Sequence, residues 1–535
     1  MESNTQPEKY DDNELPIPNK GESTQLSSVQ SIPLEDPILD NEDIEFSEID
    51  MDNIPEEART NPVYDHFWKD KEAFDVENFA SSYGSKRKWT DLVWTIIFWI
   101  NFAVTIVLFF LSKPWEANTF STSHGDISTR DMAIIGGVCI GIAFVICLFT
   151  YLFIMIAPRI YIIGSLGIIY IIMWGIVIPV AIFITPWFIL VTGIIFVVIF
   201  LCSFLLCEKL MFSADVLKSS ATVMKRIPSI FFFNLLMFLI QSGLYYLFSC
   251  GAVVVYARDI SYWIYVYVII SYFWIMQTIN YVSYTTVAGA TSTWYFLNET
   301  EYMPKTPLLY SFAHAIGPSF GPCALAGFLE GTASAFEWIA DKGESLPCGI
   351  GCCCFSCLKC CCNCCISIIK IVIGAIDRYS LIYCAMFGTP AKEGVKRWKI
   401  VAKKKIVDQV VNSCVISTTF KFYAYASMAV GSCVGGFIAR EIFEVGSAPF
   451  IFLCTIAATC AFNGLELVSV PLEVMSDTLF IGFAEAPLRL ETGAKEVYDI
   501  FRGRTKELLD KEIRAAKGIE EPKTWWQKLL CCFYK

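Results

Sequence analysis

The chain has 535 residues, of which 55% are hydrophobic and only 17% charged. Soluble proteins carry about 25% charged residues, and several apolar runs here are long enough to cross a bilayer, so a soluble globular fold is excluded. Only three histidines occur, far apart in sequence, and the chain has no phosphate-binding glycine loop, nucleophile elbow or zinc-protease signature. We therefore expect no enzyme, no metal site, no cofactor and no nucleic-acid partner.

Residues 1–60 form an acidic tail, with seventeen Asp and Glu against three Lys and Arg, or a net charge of −14. The whole chain totals −11, so the remaining residues carry +3. Such a composition predicts a disordered tail. The low isoelectric point therefore describes this tail and not the apolar body.

Residues 61–90 form a juxtamembrane segment that ends in Lys86, Arg87, Lys88 and Trp89. Positive charge and an interfacial tryptophan before an apolar run place this flank, and the N-terminus with it, in the cytoplasm. Residues 91–484 are then predicted to be an all-α polytopic transmembrane bundle with a cysteine-rich cytoplasmic segment at 348–365, followed by a cytoplasmic tail at 485–535. Its first five spans are predicted at 91–112, 132–157, 160–184, 188–206 and 229–256.

Residues 208–228, before the fifth span, are less apolar than the spans. Leu210, Leu217, Ala221 and Met224 share one helical face, and lysines lie elsewhere. The pattern is typical of a helix on the membrane surface, and a solvated loop is the alternative.

The central stretch is 262–296, which contains no charged side chain and is longer than a bilayer requires, so it must tilt, continue beyond the membrane, or break near Gly289. Tyr267, Trp274 and Tyr281 recur every seven residues, with Gln277 and Tyr284 close to the same face. This stripe is either packed against neighbouring helices or forms the wall of a cation site. Small and hydroxyl residues at 285–292 predict close helix packing.

Residues 308–340 are apolar but contain two Gly-Pro pairs and Glu330. Such a segment predicts a broken or re-entrant element away from lipid. A carboxylate at membrane depth is by default a functional candidate, so Glu330 joins the candidate site. The alternative is that the segment does not span and Glu330 lies at headgroup level.

Ten cysteines fall within residues 348–365. A cysteine run beside an apolar segment in a reducing compartment favours palmitoylation, although the spacing of Cys357 and Cys360 leaves a zinc site as an alternative. The same pattern recurs near the C-terminus. The predicted acylation sites are Cys352, Cys353, Cys354, Cys360, Cys361, Cys362, Cys531 and Cys532.

The last part of the chain contains residues 366–388, which either span or do not, and seven basic residues at 392–405 on a predicted amphipathic helix. The final clear spans are predicted at 415–438 and 449–470. The last one continues into Glu473 and Asp477, one helical turn apart. They are either solvated carboxylates beyond the membrane or a pair separated by a cation or basic group.

Three blocks of sequence resemble the choline transporter-like family, solute carrier family 44. The first is YTTVAGATSTWY at 284–295 with Pro307-Leu-Leu downstream, the second His314-Ala-Ile-Gly before the cysteine run, and the third SDTLFIGF at 476–483. Lys88-Trp-Thr-Asp91 and the short loop after the first span are similar to the fungal and protist members. Two places differ: Asp377-Arg378-Tyr379 stands where Asn-Ala-Tyr is common, and 487–493 lacks the family's acidic Asp-Gly segment.

The resemblance implies about ten transmembrane segments with both termini cytoplasmic, plasma-membrane location, and movement of choline or a related small organic cation. A quaternary ammonium cannot donate hydrogen bonds, so ring faces and a carboxylate must hold it. The expected substrate-binding residues are Tyr267, Trp274, Gln277, Tyr281 and Glu330. A non-transporting acylated organiser that gathers membrane lipids or proteins is the alternative function.

The acylation hypothesis predicts that serine replacement of the eight named cysteines removes thioester-linked palmitate from the protein. The check is metabolic labelling with an alkyne fatty acid, followed by hydroxylamine release. Replacing Cys433 alone, inside a predicted span, should leave the label unchanged. Equal labelling of the eight-serine variant and the parent would contradict the hypothesis.

Overall fold

The computed structural model shows a helical membrane protein whose helices pack around the central stretch. The helices of the first half and the hairpin between them are α1 (Val76–Gly84), α2 (Leu92–Ser112), β1 (Thr119–Thr122), β2 (Gly125–Ser128), α3 (Thr129–Ile156), α4 (Pro158–Ile172), α5 (Cys207–Arg226) and α6 (Ser229–Ala257). The structure describes residues 76–84, 87–112, 119–122, 125–172, 207–257, 262–342, 378–486 and 489–503.

The second half contains the longest helices. They are α7 (Tyr262–Leu297), α8 (Pro307–Ile316), α9 (Phe320–Lys342), α10 (Ala391–Ile442), α11 (Ala448–Glu485) and α12 (Arg489–Gly493). Helical backbone is also present at 378–387 and 495–503. The strands β1 and β2 pair antiparallel, with Phe120 opposite Ile127. This hairpin occupies the predicted short loop after the first span.

Four of the described helices are long and apolar enough to cross a membrane: Leu92–Leu111, Ala133–Ile156, Val415–Ile442 and Pro449–Glu485. Two bent helix pairs raise this number to six if each pair forms one span. Predicted span 188–206, the cysteine run at 348–365 and the tail from 504 lie outside the described residues. The total of ten spans and the orientation of the termini stay predictions.

Helix α7 runs without interruption for 36 residues, or about 54 Å, so of the three alternatives the break near Gly289 is wrong. Gly289 instead serves the close packing that the small residues predict. A Cβ atom there would lie 2.9 Å from the Ser311 Oγ atom of α8. All residues from 281 to 297 are buried.

The segment predicted to be broken is indeed two helices, α8 and α9, which meet at an angle of 68°. Helix α9 then packs along α7 through glycines. A Cβ atom on Gly327 would lie 2.7 Å from the Thr278 backbone nitrogen, and one on Gly331 would lie 2.9 Å from the Trp274 Cα atom. The two backbones therefore touch, and no larger residue fits between them.

The segment 208–228 is helix α5, so the loop alternative is wrong. Leu217, Ala221 and Met224 are buried in the protein, while Lys225 and Arg226 are exposed. The helix bends by 95° from α6 and joins two other elements through ion pairs, Arg159 with Asp215 at 2.6 Å and Lys218 with Glu496 at 2.7 Å. Its apolar face therefore contacts the helical body.

Two charged side chains between α1 and α2, Arg87 and Asp91, fix the ends of neighbouring helices. The Arg87 guanidinium donates to the carbonyls of Cys384, Ala385 and Met386, at the C-terminal end of the 378–387 helix. The Asp91 carboxylate accepts from the Ala391 backbone N–H at the start of α10. Each charge has the sign that the helix end favours.

We expect Gly327→Ala to lower the stability of the protein by about 1 to 3 kcal/mol, because the new methyl group would force α7 and α9 apart. The measurement is the melting temperature in detergent by fluorescence-detected size-exclusion chromatography. Gly137→Ala in α3 is the matched control, since its Cβ atom would have no neighbour within 4 Å. An equal melting temperature for the two variants would contradict the close packing.

Candidate functional site

A cavity of about 370 Å³ lies among helices α6, α7, α9, α10 and α11, beside the middle of α7. This volume falls within the range of about 300 to 1,000 Å³ that small-molecule sites occupy. Six of the aromatic rings that line it are Phe238, Tyr245, Tyr272, Tyr281, Tyr284 and Phe420. Its charged lining residues are Glu330, Arg378, Lys421, Glu466 and Glu473.

The carboxylate of Glu330 accepts a hydrogen bond from the Tyr281 hydroxyl in a very short contact. Glu330 is half-buried on α9, and Tyr281 is buried near the midpoint of α7. Gly327 and Gly331 flank Glu330 on both sides in sequence, so the tight α7–α9 contact also sets the position of this carboxylate. The hydroxyl is neutral, so the bond leaves the negative charge of Glu330 in place.

A second carboxylate, Glu473 of α11, is balanced by a basic group. The Arg378 guanidinium donates to it at 3.4 Å, and the Ser417 hydroxyl donates to it at 3.0 Å. Glu473 is only 16% exposed, and Asp477, one turn further, is buried at 3%. The alternative of two solvated carboxylates is therefore wrong, and Glu473 has the basic partner that the repulsion argument required.

An amide chain holds the polar wall of the cavity between α6 and α7. The Gln241 amide donates to the Asn280 oxygen at 2.8 Å, and the Asn280 amide donates to the Gln277 oxygen at 3.1 Å. Gln277 lines the cavity as well. The Gln277 side chain is therefore held by Asn280, which Gln241 holds in turn.

The structure thus brings together three of the five predicted site residues, Gln277, Tyr281 and Glu330, and places the other two elsewhere. The Trp274 indole donates to the Ala324 carbonyl at 3.0 Å and meets the ring of Phe328. The Tyr267 hydroxyl donates to Asn101 of α2 at 2.8 Å. These two rings join helices and do not line the cavity.

Arg378, Tyr284 and Glu473 line the cavity although the sequence did not assign them to the site. The sequence did contain a reason to include Arg378 in the predicted site, since it is a charged residue in a largely apolar segment and differs from the pattern of the similar family. Tyr284 lies one turn beyond Tyr281, on the same helical face. The sequence placed Tyr284 close to the face of the stripe, but the predicted site kept only the rings that recur every seven residues.

The charges and rings of the cavity indicate what kind of ligand it favours. Within the described part of the chain, no group of three or more His, Cys, Asp or Glu residues could hold a metal ion. The formal charges of the lining residues are three negative and two positive, or −1 in total. A negatively charged, ring-lined cavity inside a helical bundle favours a small positively charged ligand.

The comparison of the sequence with known proteins points to one class. A sequence profile described as plasma-membrane choline transporter matches residues 190–487, which include all of α5 to α11 and the cavity. The helical membrane bundle, its cavity and this match together identify the class of protein as a membrane transporter family. The chain belongs to the choline transporter-like family.

Relatives of the chain are fungal proteins called Protein PNS1. The one from Debaryomyces hansenii is 22% identical over 78% of this chain and 87% of its own length. The one from Saccharomyces cerevisiae is 23% identical over 66% of this chain and 70% of its own length. The resemblance read from the sequence blocks is therefore confirmed. Identity at this level leaves the lining of the cavity free to differ.

Trp274→Phe should lower the free energy of unfolding by about 1 to 3 kcal/mol, because it removes the hydrogen bond from the indole to the Ala324 carbonyl and leaves a space where the larger ring packs. The measurement is the melting temperature of the purified protein in detergent. Trp263→Phe is the control and should change it little, since that ring is 77% exposed. Equal effects of the two changes would show that the indole bond does not contribute to the packing.

Proposed function

We propose that this protein carries choline or a related small organic cation across the plasma membrane by alternating access. The single observation that supports it best is the Glu330 carboxylate, set by Tyr281 in a ring-lined cavity beside the middle of α7. Transporter sites of this kind lie near the bilayer midplane, next to discontinuous helices. The broken pair α8–α9 supplies such an element.

Binding follows from the charges of the cavity. Glu473 forms an ion pair with Arg378, whereas the hydrogen bond that Glu330 accepts among the described residues comes from a neutral hydroxyl, and Arg378 acts on Glu330 without a direct ion pair. A trimethylammonium group therefore finds its counter-charge at Glu330. The faces of Tyr281 and nearby rings replace its water, each contributing on the order of 0.5 to 2 kcal/mol.

The packing of α7 supports the view that a ligand reaches the cavity from one end of the helical bundle only. Beyond the cavity, its residues 285–297 are all buried. Ser311 of α8 packs against Gly289 there, and the Tyr83 hydroxyl of α1 lies 2.6 Å from the Ser311 Oγ atom. This packed end is the part that must loosen when the site opens to the other side of the membrane.

The test is uptake of labelled choline by the purified protein in liposomes. Glu330→Gln should raise KM at least tenfold, because a cation near a carboxylate gains on the order of 1 to 4 kcal/mol between water-like and protein-like dielectrics. Tyr281→Phe should raise KM by less, about two- to tenfold, since the ring remains and only the hydroxyl is lost.

Matched controls for these two variants lie outside the cavity. They are Glu393→Gln, an exposed carboxylate in an i,i+4 ion pair, and Tyr425→Phe, a ring that is 64% exposed. Both should transport as the parent does. Absence of uptake for choline and every related amine would overturn the proposed function, and an unchanged KM in Glu330→Gln would remove Glu330 from the site.

A further inference from the structure

Tyr284 carries a hydroxyl group that has no hydrogen-bond partner among the described residues, although its side chain is only 5% exposed. The residue lines the cavity. A buried polar atom without a hydrogen-bond partner costs about 1 to 3 kcal/mol of stability, so a compensating interaction is expected. The hydroxyl oxygen is closed off from the cavity in this structure, and a small rotation of the Tyr284 side chain would let an acceptor atom of a ligand take this hydrogen bond.

Arg378 also has donors to spare at the same cavity. Its side chain is 40% exposed, and its one hydrogen bond among the described residues runs from Nη1 to Glu473 at 3.4 Å. This is longer than the 2.7 to 2.9 Å of a strong charge-assisted bond. Glu473 also accepts from Ser417 and Ser469, so its position does not rest on Arg378 alone. The guanidinium fork can therefore serve a ligand.

These two donors lie next to the proposed cation site. Tyr284 follows Tyr281 by one helical turn, a spacing of about 5 to 6 Å on one face. Arg378 is close enough to Tyr281, Glu330 and Tyr284 to interact with each of them electrostatically. One wall of the cavity thus presents a carboxylate, and the neighbouring turn presents a hydroxyl and a guanidinium.

We propose that the ligand of this cavity is a small zwitterion, an amine that also carries a carboxylate or a phosphate group. Its ammonium group binds at Glu330 and the ring of Tyr281, and its acidic group accepts hydrogen bonds from Tyr284 and Arg378. This inference rests on the proposed transport function and narrows its substrate class. A simple cation would leave the guanidinium fork unused and be repelled by it.

The test uses the full-length protein in liposomes and three labelled compounds with the same trimethylammonium head: choline, trimethylglycine and phosphocholine. We expect one of the two zwitterions to have a KM at least tenfold below that of choline. A lower KM for trimethylglycine would indicate a carboxylate ligand, and a lower KM for phosphocholine would indicate a phosphate ligand. If the cavity binds a simple cation only, choline will have a lower KM than both zwitterions.

Two variants assign the effect to the named donors. Arg378→Gln should raise the KM of the preferred zwitterion by about 10- to 100-fold, as expected for a lost hydrogen bond to a charged group. The same variant should lower the KM of choline, because it removes the positive charge that repels a simple cation. Tyr284→Phe should raise the KM of the zwitterion by about three- to tenfold. Arg397→Gln, which breaks an exposed ion pair far from the cavity lining, is the control and should change neither.

The failure of this inference can be told from the failure of the proposed function. Transport of choline with neither uptake of nor competition by the zwitterions would overturn the inference and leave the transport function standing. Equal loss for choline and zwitterion in Arg378→Gln would show a structural role and also overturn it. If Arg378→Gln does not fold, Tyr284→Phe replaces it in the test. The quantity compared is then the KM of the zwitterion divided by the KM of choline, in the variant and in the parent. No uptake of any of the three compounds would overturn both.

Discussion

The contact of α7 with α9 is the constraint on which the rest of the site depends. In a bilayer the lipid tails are as apolar as a leucine side chain, so helices gain little from burying apolar groups against each other and rely on close fit. Gly327 and Gly331 let the two backbones touch. Because Glu330 lies between these glycines, the fit that joins the helices also sets the carboxylate against Tyr281.

The break between α8 and α9 is possible because the protein satisfies its backbone. Backbone groups left free where a helix breaks need hydrogen-bond partners from elsewhere in the protein. The Pro318 carbonyl at the break accepts from the Thr90 backbone N–H at 3.0 Å and from the Thr90 hydroxyl at 3.1 Å. A Cβ atom on Gly321 would lie 2.3 Å from the Thr90 carbonyl oxygen. The segment before α2 therefore fits directly onto the broken element.

Family membership and substrate choice depend on different parts of this molecule. The match to the family extends over the helices that form the bundle, whereas the charge of the cavity is set by a few side chains. Arg378 alone changes the formal charge of the lining by one unit. A chain at 22% identity to its fungal relative can thus keep the bundle and bind a different amine.

The sequence by itself determined the membrane character, the broken element at 308–340, the close packing around Gly289 and the family. These follow from composition, helical period and short motifs, which are local properties. It also selected Tyr281, Gln277 and Glu330, because a period of seven and a carboxylate in an apolar run are visible in one dimension. Span number, acylation and topology near the cysteines were inferred from the same kind of pattern and stay predictions.

Only the tertiary structure decided which rings of the stripe line a cavity. Tyr267, Trp274 and Tyr281 share one helical face, but Asn101 and Ala324 of neighbouring helices take the first two as hydrogen-bond partners. It also decided that Arg378 and Glu473, 95 residues apart, form an ion pair. Periodicity records the face of a single helix. It holds no information on which other helix lies against that face.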